Sequence, residues 1–575
     1  MRRKLRAALL LILSLVLLSS CTSLDYLFSA LQGDTRFLAD YSDITYVRPD
    51  LVQLEQQIDT LIDAVKNDTT NSKEVLETME KIVDAYYYEL NTMMSLAFLE
   101  YSRDLNSEFY RNEYYDLMAE SDRLMTRLEE LYGYLAQSPY RDDCEEKIFG
   151  SGFLEAYADG PVSYPEEFLS LFRRESELLM QYSEYLADPQ VSYQGKIYNG
   201  VDIDAIEDPE LYRQVCEAYY QKYNTLIASI YVELVGIRQE IARMCGYESY
   251  ASYVFDSSGR EYTPAEADTY LTGIRRTLVP IYREVIASYD DERLALLPPL
   301  TSDAVVSKAE TLVSSLSGTL GTIFADMKDH NLYTVGSSDT MYYGSFQTYF
   351  NSFETPYLFV NGTGYAEDVM TMVHEFGHFT SAYLNYGSTG SNDEAEVASQ
   401  ALSLLSLRHL DQVFSQEQAA VLYEYELCGI LSSLNECAAY TAFENMVYAD
   451  TTLTPAECNA YFESCMKEYG LLDPTESSVA GDRYWVFINH LIEYPYYMIG
   501  YSVSADVSLQ IFALPEEKGV STYMDLIDRA YRYDFFGNLA AVGLQSPFEE
   551  GRAEALAAFF SRELLKRANG ERVYP

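Results

Sequence analysis

His374, Glu375 and His378 stand out as the residues able to do chemistry in this chain of 575 residues. They lie within Val373-His-Glu-Phe-Gly-His378. Two histidines four apart share one face of a helix, so their rings can converge on a single metal ion. Glu375 is rotated by about 100° from His374. It can border the metal without binding it and accept a proton from water there. This is the H-E-x-x-H arrangement used by zinc peptidases. The chain has 5 histidines, and two at this spacing with glutamate between them arise by chance in roughly one chain of this composition in 250.

A hydrolytic zinc site takes three protein ligands and leaves a position for water, so a third donor must come from elsewhere. Asn392-Asp-Glu-Ala-Glu-Val-Ala-Ser-Gln-Ala-Leu402 offers Glu394 and Glu396. Two apart on a helix, they point in nearly opposite directions, and only one can face the site. Glu396 is favoured because it leads into the apolar helix, whereas Glu394 lies nearer the loop. His330 in a polar loop and His409 on a helix surface are weaker rivals.

Those side chains need elements to position them. Met341–Phe350 and Thr355–Asn361 are rich in aromatic and β-branched residues, and Gly, Ser and Asn bound them, which predicts two short strands. Gly362-Thr-Gly364 makes a turn, and Glu367 and Asp368 stand where a helix first turn favours acids. Most of the remaining chain reads as helix. Leu51, Leu54, Ile58, Leu61 and Val65 form one apolar stripe, and similar patterns run through 75–137, 165–187 and 208–245. Tyrosine joins many of these stripes, and most of the 54 tyrosines are expected to pack in the core. Breaks fall near 138–165, 188–210, 256–264 and 294–306, and no period of 20–50 residues marks a repeat.

His374-Glu-Phe-Gly-His378 followed by Glu396-Val-Ala-Ser-Gln400 resembles the M3 family of metallopeptidases, the group of thimet oligopeptidase and oligoendopeptidase F. The resemblance extends over about residues 200–565. Arg238–Tyr253, Tyr343-Gly344-Ser345, Pro356–Asn361 and Val542–Pro547 are similar to further stretches of that family. It implies Glu396 as the third ligand of one Zn²⁺, beside His374 and His378, and Glu375 as the general base. His490-Leu-Ile-Glu-Tyr494-Pro-Tyr-Tyr497-Met-Ile-Gly-Tyr501 is similar to the family's His and Tyr cluster facing the zinc. Tyr501 and Tyr497 would stabilise the oxyanion, and His490 would bind substrate. Tyr494, Gly344, Tyr357 and Phe359 are further expected substrate contacts, with the strand at 355–361 holding an extended peptide by edge pairing. The implied fold is mainly α: a two-lobed helical zincin with a deep channel and a small β-sheet beside the active-site helix. Residues 21–200 would form an N-terminal helical lobe and 201–575 the catalytic domain. Two features depart from the family pattern. The gap between His378 and Glu396 is short, and Ser403 stands where an acid often orients a ligand histidine.

The N-terminus predicts where this body works. Arg2, Arg3, Lys4 and Arg6 precede an apolar stretch, Ala7–Leu18, and then Leu18-Ser-Ser-Cys21. This reads as a signal peptide with a Cys preceded by small residues, which resembles the bacterial lipobox. Cleavage before Cys21 and its lipidation would anchor the protein at the extracytoplasmic face of the membrane, with no other membrane contact. The seven later cysteines contain no C-x-x-C pair and are expected mostly as buried small residues. A net charge of −49 argues against nucleic acid as a partner. Short unstructured peptides, cut internally by a monomer, are the expected substrates. The rival readings are a dipeptidyl- or carboxypeptidase of a related H-E-x-x-H family, a non-catalytic peptide-binding lipoprotein, and a metal-storage or adhesion lipoprotein.

Overall fold

The apolar stripe that begins at Leu51 becomes helix α1 (Leu51–Lys66), in which Leu51, Leu54, Ile58, Leu61 and Ile62 are buried. The Asp50 side chain caps it by accepting the Gln53 N–H, an interaction worth about 1 kcal/mol. The structure is a computed structural model that describes residues 38–161, 165–186, 189–388, 391–472, 481–529 and 534–565. The signal segment and Cys21 lie outside the described residues.

The stripe across 75–137 is divided by a one-turn π segment, Asp84–Leu90, which holds Tyr86, Tyr87 and Tyr88. Helices α2 (Asn91–Arg103) and α3 (Glu108–Ala136) follow and pack together. Next come α4 (Glu166–Leu186), a hairpin of β1 (Gln190–Tyr193) and β2 (Lys196–Asn199), and the long α5 (Pro209–Met244). The hairpin falls inside a stretch that the sequence marks only as a break. Helix α6 (Pro264–Ser288) starts with Pro264 and a reciprocal Thr263–Glu266 capping box.

The mixed sheet that precedes the site has three strands, not two. β3 (Tyr333–Gly336), β4 (Ser345–Phe350) and β5 (Thr355–Asn361) are ordered β3-β5-β4. β5 pairs parallel with β3 and antiparallel with β4. It is therefore the central strand, with both edges occupied, and cannot hold a peptide by edge pairing. The N-terminal helices lie directly on this sheet. Phe98 of α2 packs on Phe346 with ring centroids 4.9 Å apart, and Tyr41 packs on Tyr357 at 4.7 Å. The Leu105 N–H donates to the Thr340 carbonyl at 2.8 Å. Buried apolar residues from Leu38 to Leu564 form one continuous core.

Four of the helices after the sheet surround the site: α7 (Asp368–Leu384), α8 (Asn392–Ser406), α9 (Gln416–Ala449) and α10 (Met498–Ala513). α8 packs between α7 and α10, and α9 lies against α10. α10 is buried on all sides, as Ile499, Ser502, Val503, Asp506 and Leu509 show. The seven described cysteines are all free and buried, with Cys458 and Cys465 on one helix, Pro455–Glu468. Among the described residues no helix is long and apolar enough to cross a membrane.

Candidate active site

The entry of α7 is set by Asp368. Its carboxylate accepts the N–H groups of Thr363 (2.8 Å) and Gly364 (2.7 Å), which closes the turn after β5. A side chain at Gly362 would collide with that carboxylate, since its Cβ would lie 2.3 Å from the Asp368 carboxyl carbon. Two turns further along α7, His374 and His378 project from one face, with ring centroids 5.2 Å apart.

Gly377 lets α8 reach those rings. A Cβ there would lie 2.4 Å from the Ala398 carbonyl oxygen and 2.5 Å from the Ser399 Cα. Backbone touches backbone, and Glu396 is brought across. Its Oε2 lies 3.8 Å from His374 Nε2 and 3.9 Å from His378 Nε2. The three ligand atoms all fall within 4.8 Å of one another. The short loop between the helices is long enough for both to meet. Glu394, the alternative, turns away and accepts the Asn538 side-chain amide in the interior. His330 hydrogen-bonds the Asp326 carbonyl of its own turn, and His409 faces Glu516.

The donor set fits a divalent cation of the zinc type. Burial pushes the His374 imidazole down to about 4 and that of His378 to about 3, so both are neutral, the ligating form. Burial pushes Glu396 up to about 8. A buried carboxylate with no cation beside it takes a proton, and a metal ion would supply the charge that ionises it. The surroundings orient these groups. The Ser399 hydroxyl donates to the Glu396 carbonyl at 3.1 Å and to Oε2 at 3.4 Å. His378 donates to the Ala395 backbone carbonyl. That carbonyl orients one of the two rings, whereas the Ser403 hydroxyl is buried with no hydrogen-bond partner among the described residues.

Glu375 is buried beside this cluster. Burial, and then the charge of Glu396, hold its carboxyl well above the usual range. It borders a cavity of about 1120 Å³ that also reaches His374, Gly344, Ser345, Gln400, Glu367 and Glu426. The cavity lining contains no Lys or Arg.

The tyrosines approach from the other side. Tyr497, at the start of α10, brings its phenol beside the Glu396 carboxylate, whose proton affinity it lowers, and contacts Tyr501. The ring centroids of Tyr497 and Tyr501 are 5.3 Å apart. His490 lies 5.4 Å from Tyr497, 6.0 Å from Tyr501 and 6.2 Å from Tyr494, ring to ring. Burial, and then the Glu396 charge, raise both the Tyr497 and Tyr501 phenols, so they remain neutral donors. Gln400 of α8 donates to the Ser504 hydroxyl at 3.1 Å and holds α8 against α10.

Two expected substrate contacts are not open to a ligand. Tyr357 is 1% exposed, between Tyr41, Phe350 and Thr334, and Phe359 is fully buried, stacked on Phe346. Alternation along a central strand sends these rings into the core. Gly344 does line the cavity, just ahead of the edge strand β4, whose outer side carries no strand partner among the described residues. Tyr494 is exposed at the rim of the histidine cluster. Sequence reasoning missed Gly377 as the helix-contact residue, although its place inside the motif was a signal. It also missed Glu426, which no spacing links to the motif.

Residues 41–159 match the family described as Peptidase M3 N-terminal domain. No curated protein matches the chain. Among solved structures, PZ peptidase A with an inhibitor shares the fold with a TM-score of 0.77 at 20% identity, covering 91% of this chain and 99% of that one. A protein described as an oligoendopeptidase F from Bacillus anthracis gives 0.72 at 19% identity, with 92% and 99% covered. Oligoendopeptidase F from Enterococcus faecium gives 0.57 at 14% identity, with 91% and 98% covered. The two-lobed helical peptidase fold is thus shared along nearly the whole chain, and the M3 N-terminal match falls in the stretch that carries no recognisable motif.

Proposed function

We propose that this chain is a zinc-dependent M3-family oligopeptidase that cuts internal bonds of short unstructured peptides. The observation that carries the reading is the convergence of His374, His378 and Glu396 beside an unpaired Glu375 on the wall of a long cavity. A pure peptide binder or a metal-storage protein has no use for a buried general base in that position. Bound by the three ligands, zinc would supply Lewis acidity to the peptide carbonyl and to the attacking water.

The chain's own residues carry the proton steps. Burial raises the proton affinity of Glu375, and a cation held by the three ligands would supply the charge that keeps it ionised; it then takes a proton from the attacking water and holds it until the amine leaves. It then donates the proton to the amine. Tyr497 and Tyr501 aim neutral phenols at the place where negative charge develops on the carbonyl oxygen. Gly344 and Ser345, at the start of the edge strand, present backbone to an extended peptide. A lining with carboxylates and no Lys or Arg favours peptides that carry cationic groups. The same reading places the protein as a monomer on a lipid anchor at the extracytoplasmic face, from the lipobox-like Leu18–Cys21.

The test is Glu375→Gln with a peptide of about ten residues blocked at both ends. Zinc content should stay at one ion per chain while internal cleavage falls by about 10³-fold or more. Equal cleavage by both proteins refutes the assignment. Release of terminal fragments only, with blocked peptides resistant, would favour the exopeptidase alternative.

A further inference from the structure

Tyr496 is one of six non-glycine residues with positive φ among the described residues, at 62°. A bulky side chain rarely adopts this left-handed backbone, and such strain persists only where the surroundings impose it. It lies immediately before Tyr497, whose phenol meets Glu396. Both polar groups of the Tyr496 backbone are held by ionisable side chains from distant parts of the chain. Its N–H donates to Glu444 Oε1 of α9 at 2.6 Å. Its carbonyl accepts from Arg260 Nη2 at 2.7 Å. Its ring is buried between Phe255 and Tyr448, each 5.7 Å away.

We propose that Glu444 and Arg260 are positioning residues for Tyr497: together they clamp Tyr496 in its left-handed conformation and so aim the phenol at the Glu396 carboxylate. The proposal rests on the peptidase reading above for what the phenol does, but the clamp itself is a property of the backbone.

The surroundings are built for this. Glu444 is 1% exposed, and among the described residues its Oε2 has no hydrogen-bond partner and its Oε1 accepts the Tyr496 amide. Burial pushes its carboxyl up to about 8, which makes it a neutral acid whose carbonyl oxygen accepts the amide. The Arg260 guanidinium sits 4.8 Å from the Phe255 ring and 5.8 Å from the Tyr262 ring. Its Nη1 is buried and unpaired. Asp393, three residues before Glu396 on α8, and Arg260 meet over the same face of Gly500, where an added Cβ would lie 2.7 Å from Asp393 Oδ1 and 3.9 Å from Arg260 Nη2. The start of α10 thus packs closely against both the ligand helix and the clamp. A second cation fixes the segment upstream. Arg238 of α5 donates to the Ile492 carbonyl at 2.8 Å and pairs with Glu175 of α4 at 2.7 Å. No group in this clamp touches the metal ligands directly, so it acts through Tyr497.

The experiment uses the full-length zinc-loaded protein and two readouts, hydrogen exchange of the 489–501 amides and steady-state cleavage of a blocked peptide. Glu444→Ala should speed exchange at the Tyr496 amide about tenfold or more. It should lower kcat about tenfold while KM and zinc content stay within about twofold. Glu444→Gln keeps the acceptor oxygen and should stay within about twofold of wild type in both readouts. In the Tyr497→Phe background, Glu444→Ala should cost less than about threefold further, because the group it positions is gone. If Glu444→Ala does not fold, Arg260→Gln loosens the other end and should show the same non-additivity. Equal fold-losses in both backgrounds, or unchanged exchange, overturn the clamp. If wild type and Glu375→Gln cleave alike, the peptidase reading fails instead, and the exchange measurement alone decides the clamp.

Discussion

The site has two sides built by different means. On the ligand side, the three candidate metal donors and the proposed general base lie between residues 374 and 396, on two consecutive helices, α7 and α8. Helix period sets the two histidines, and one glycine sets the distance between the helices. On the tyrosine side, the phenols sit on a short segment held by groups 52, 236 and 254 residues away: Glu444, Arg260 and Arg238. The first side is a local code that two helices can write. The second exists only once the whole chain has folded. The ligand side should therefore fail in an all-or-none manner, with the metal, whereas the tyrosine side should fail by degrees, with the metal in place.

Gly377→Ala is the most severe way to test this contrast. The new Cβ would overlap backbone of α8, which cannot rotate aside as a side chain could. The helices must part, and Glu396 must draw away from the imidazoles. We expect metal affinity to drop by at least about 100-fold, with cleavage lost in step. Metal analysis after dialysis checks it. Full zinc retention would mean that the close approach of α7 and α8 does not govern the site.

Tyr497→Phe probes the other side. It removes a donor aimed at developing charge, and the expected loss in kcat is about 10²-fold with zinc retained. The outcome also assigns Tyr497, because its phenol lies beside Glu396. Loss of zinc in this variant would move Tyr497 to the ligand side of the comparison. A smaller effect is expected from Glu426→Gln in the cavity wall. Burial pushes the Glu426 carboxyl up to about 8, so the effect belongs above that pH, where kcat/KM for a peptide carrying Lys or Arg should fall about threefold relative to a neutral peptide. Equal changes for both peptides would remove Glu426 from substrate choice.

The same division governs what the sequence makes legible. The ligands follow from i, i+4 spacing and a second acidic helix, and the structure brings those residues together. Helices such as α1, α4 and α5 follow from apolar stripes, because one buried face repeats with the helix period. β3 is only four residues long, and its parallel pairing with β5 depends on a chain crossing that spacing does not encode. That crossing places β5 in the centre and buries Tyr357 and Phe359. Nothing in residues 22–200 offers a chemical motif, only helix patterns, yet residues 41–159 match an M3 N-terminal domain. Arg260 and Glu444 carry no sequence signal for the same reason that makes them informative: their partner is a backbone turn far along the chain.

The smallest effect concerns pH. The Glu444 carboxyl, at about 8 in the fold, is far above its ordinary value of 4.5, with burial as the main cause. The folded state binds this proton more tightly than the unfolded chain does. Its contribution to stability is therefore complete below about pH 4.5 and is lost as pH rises towards 8. Glu444→Gln replaces it with a group that does not titrate. The midpoint of thermal unfolding of the metal-loaded variant should then fall less between pH 5 and 8 than that of wild type, by a few degrees at most for a chain of this size. An unchanged slope would mean that Glu444 is ionised in the fold. In that case the Tyr496 amide donates to a carboxylate, and Gln would be a poorer substitute in the clamp than the neutral acid implies. The pH slope and the hydrogen exchange of Glu444→Gln must therefore agree: a flattened slope with unchanged exchange, or an unchanged slope with faster exchange.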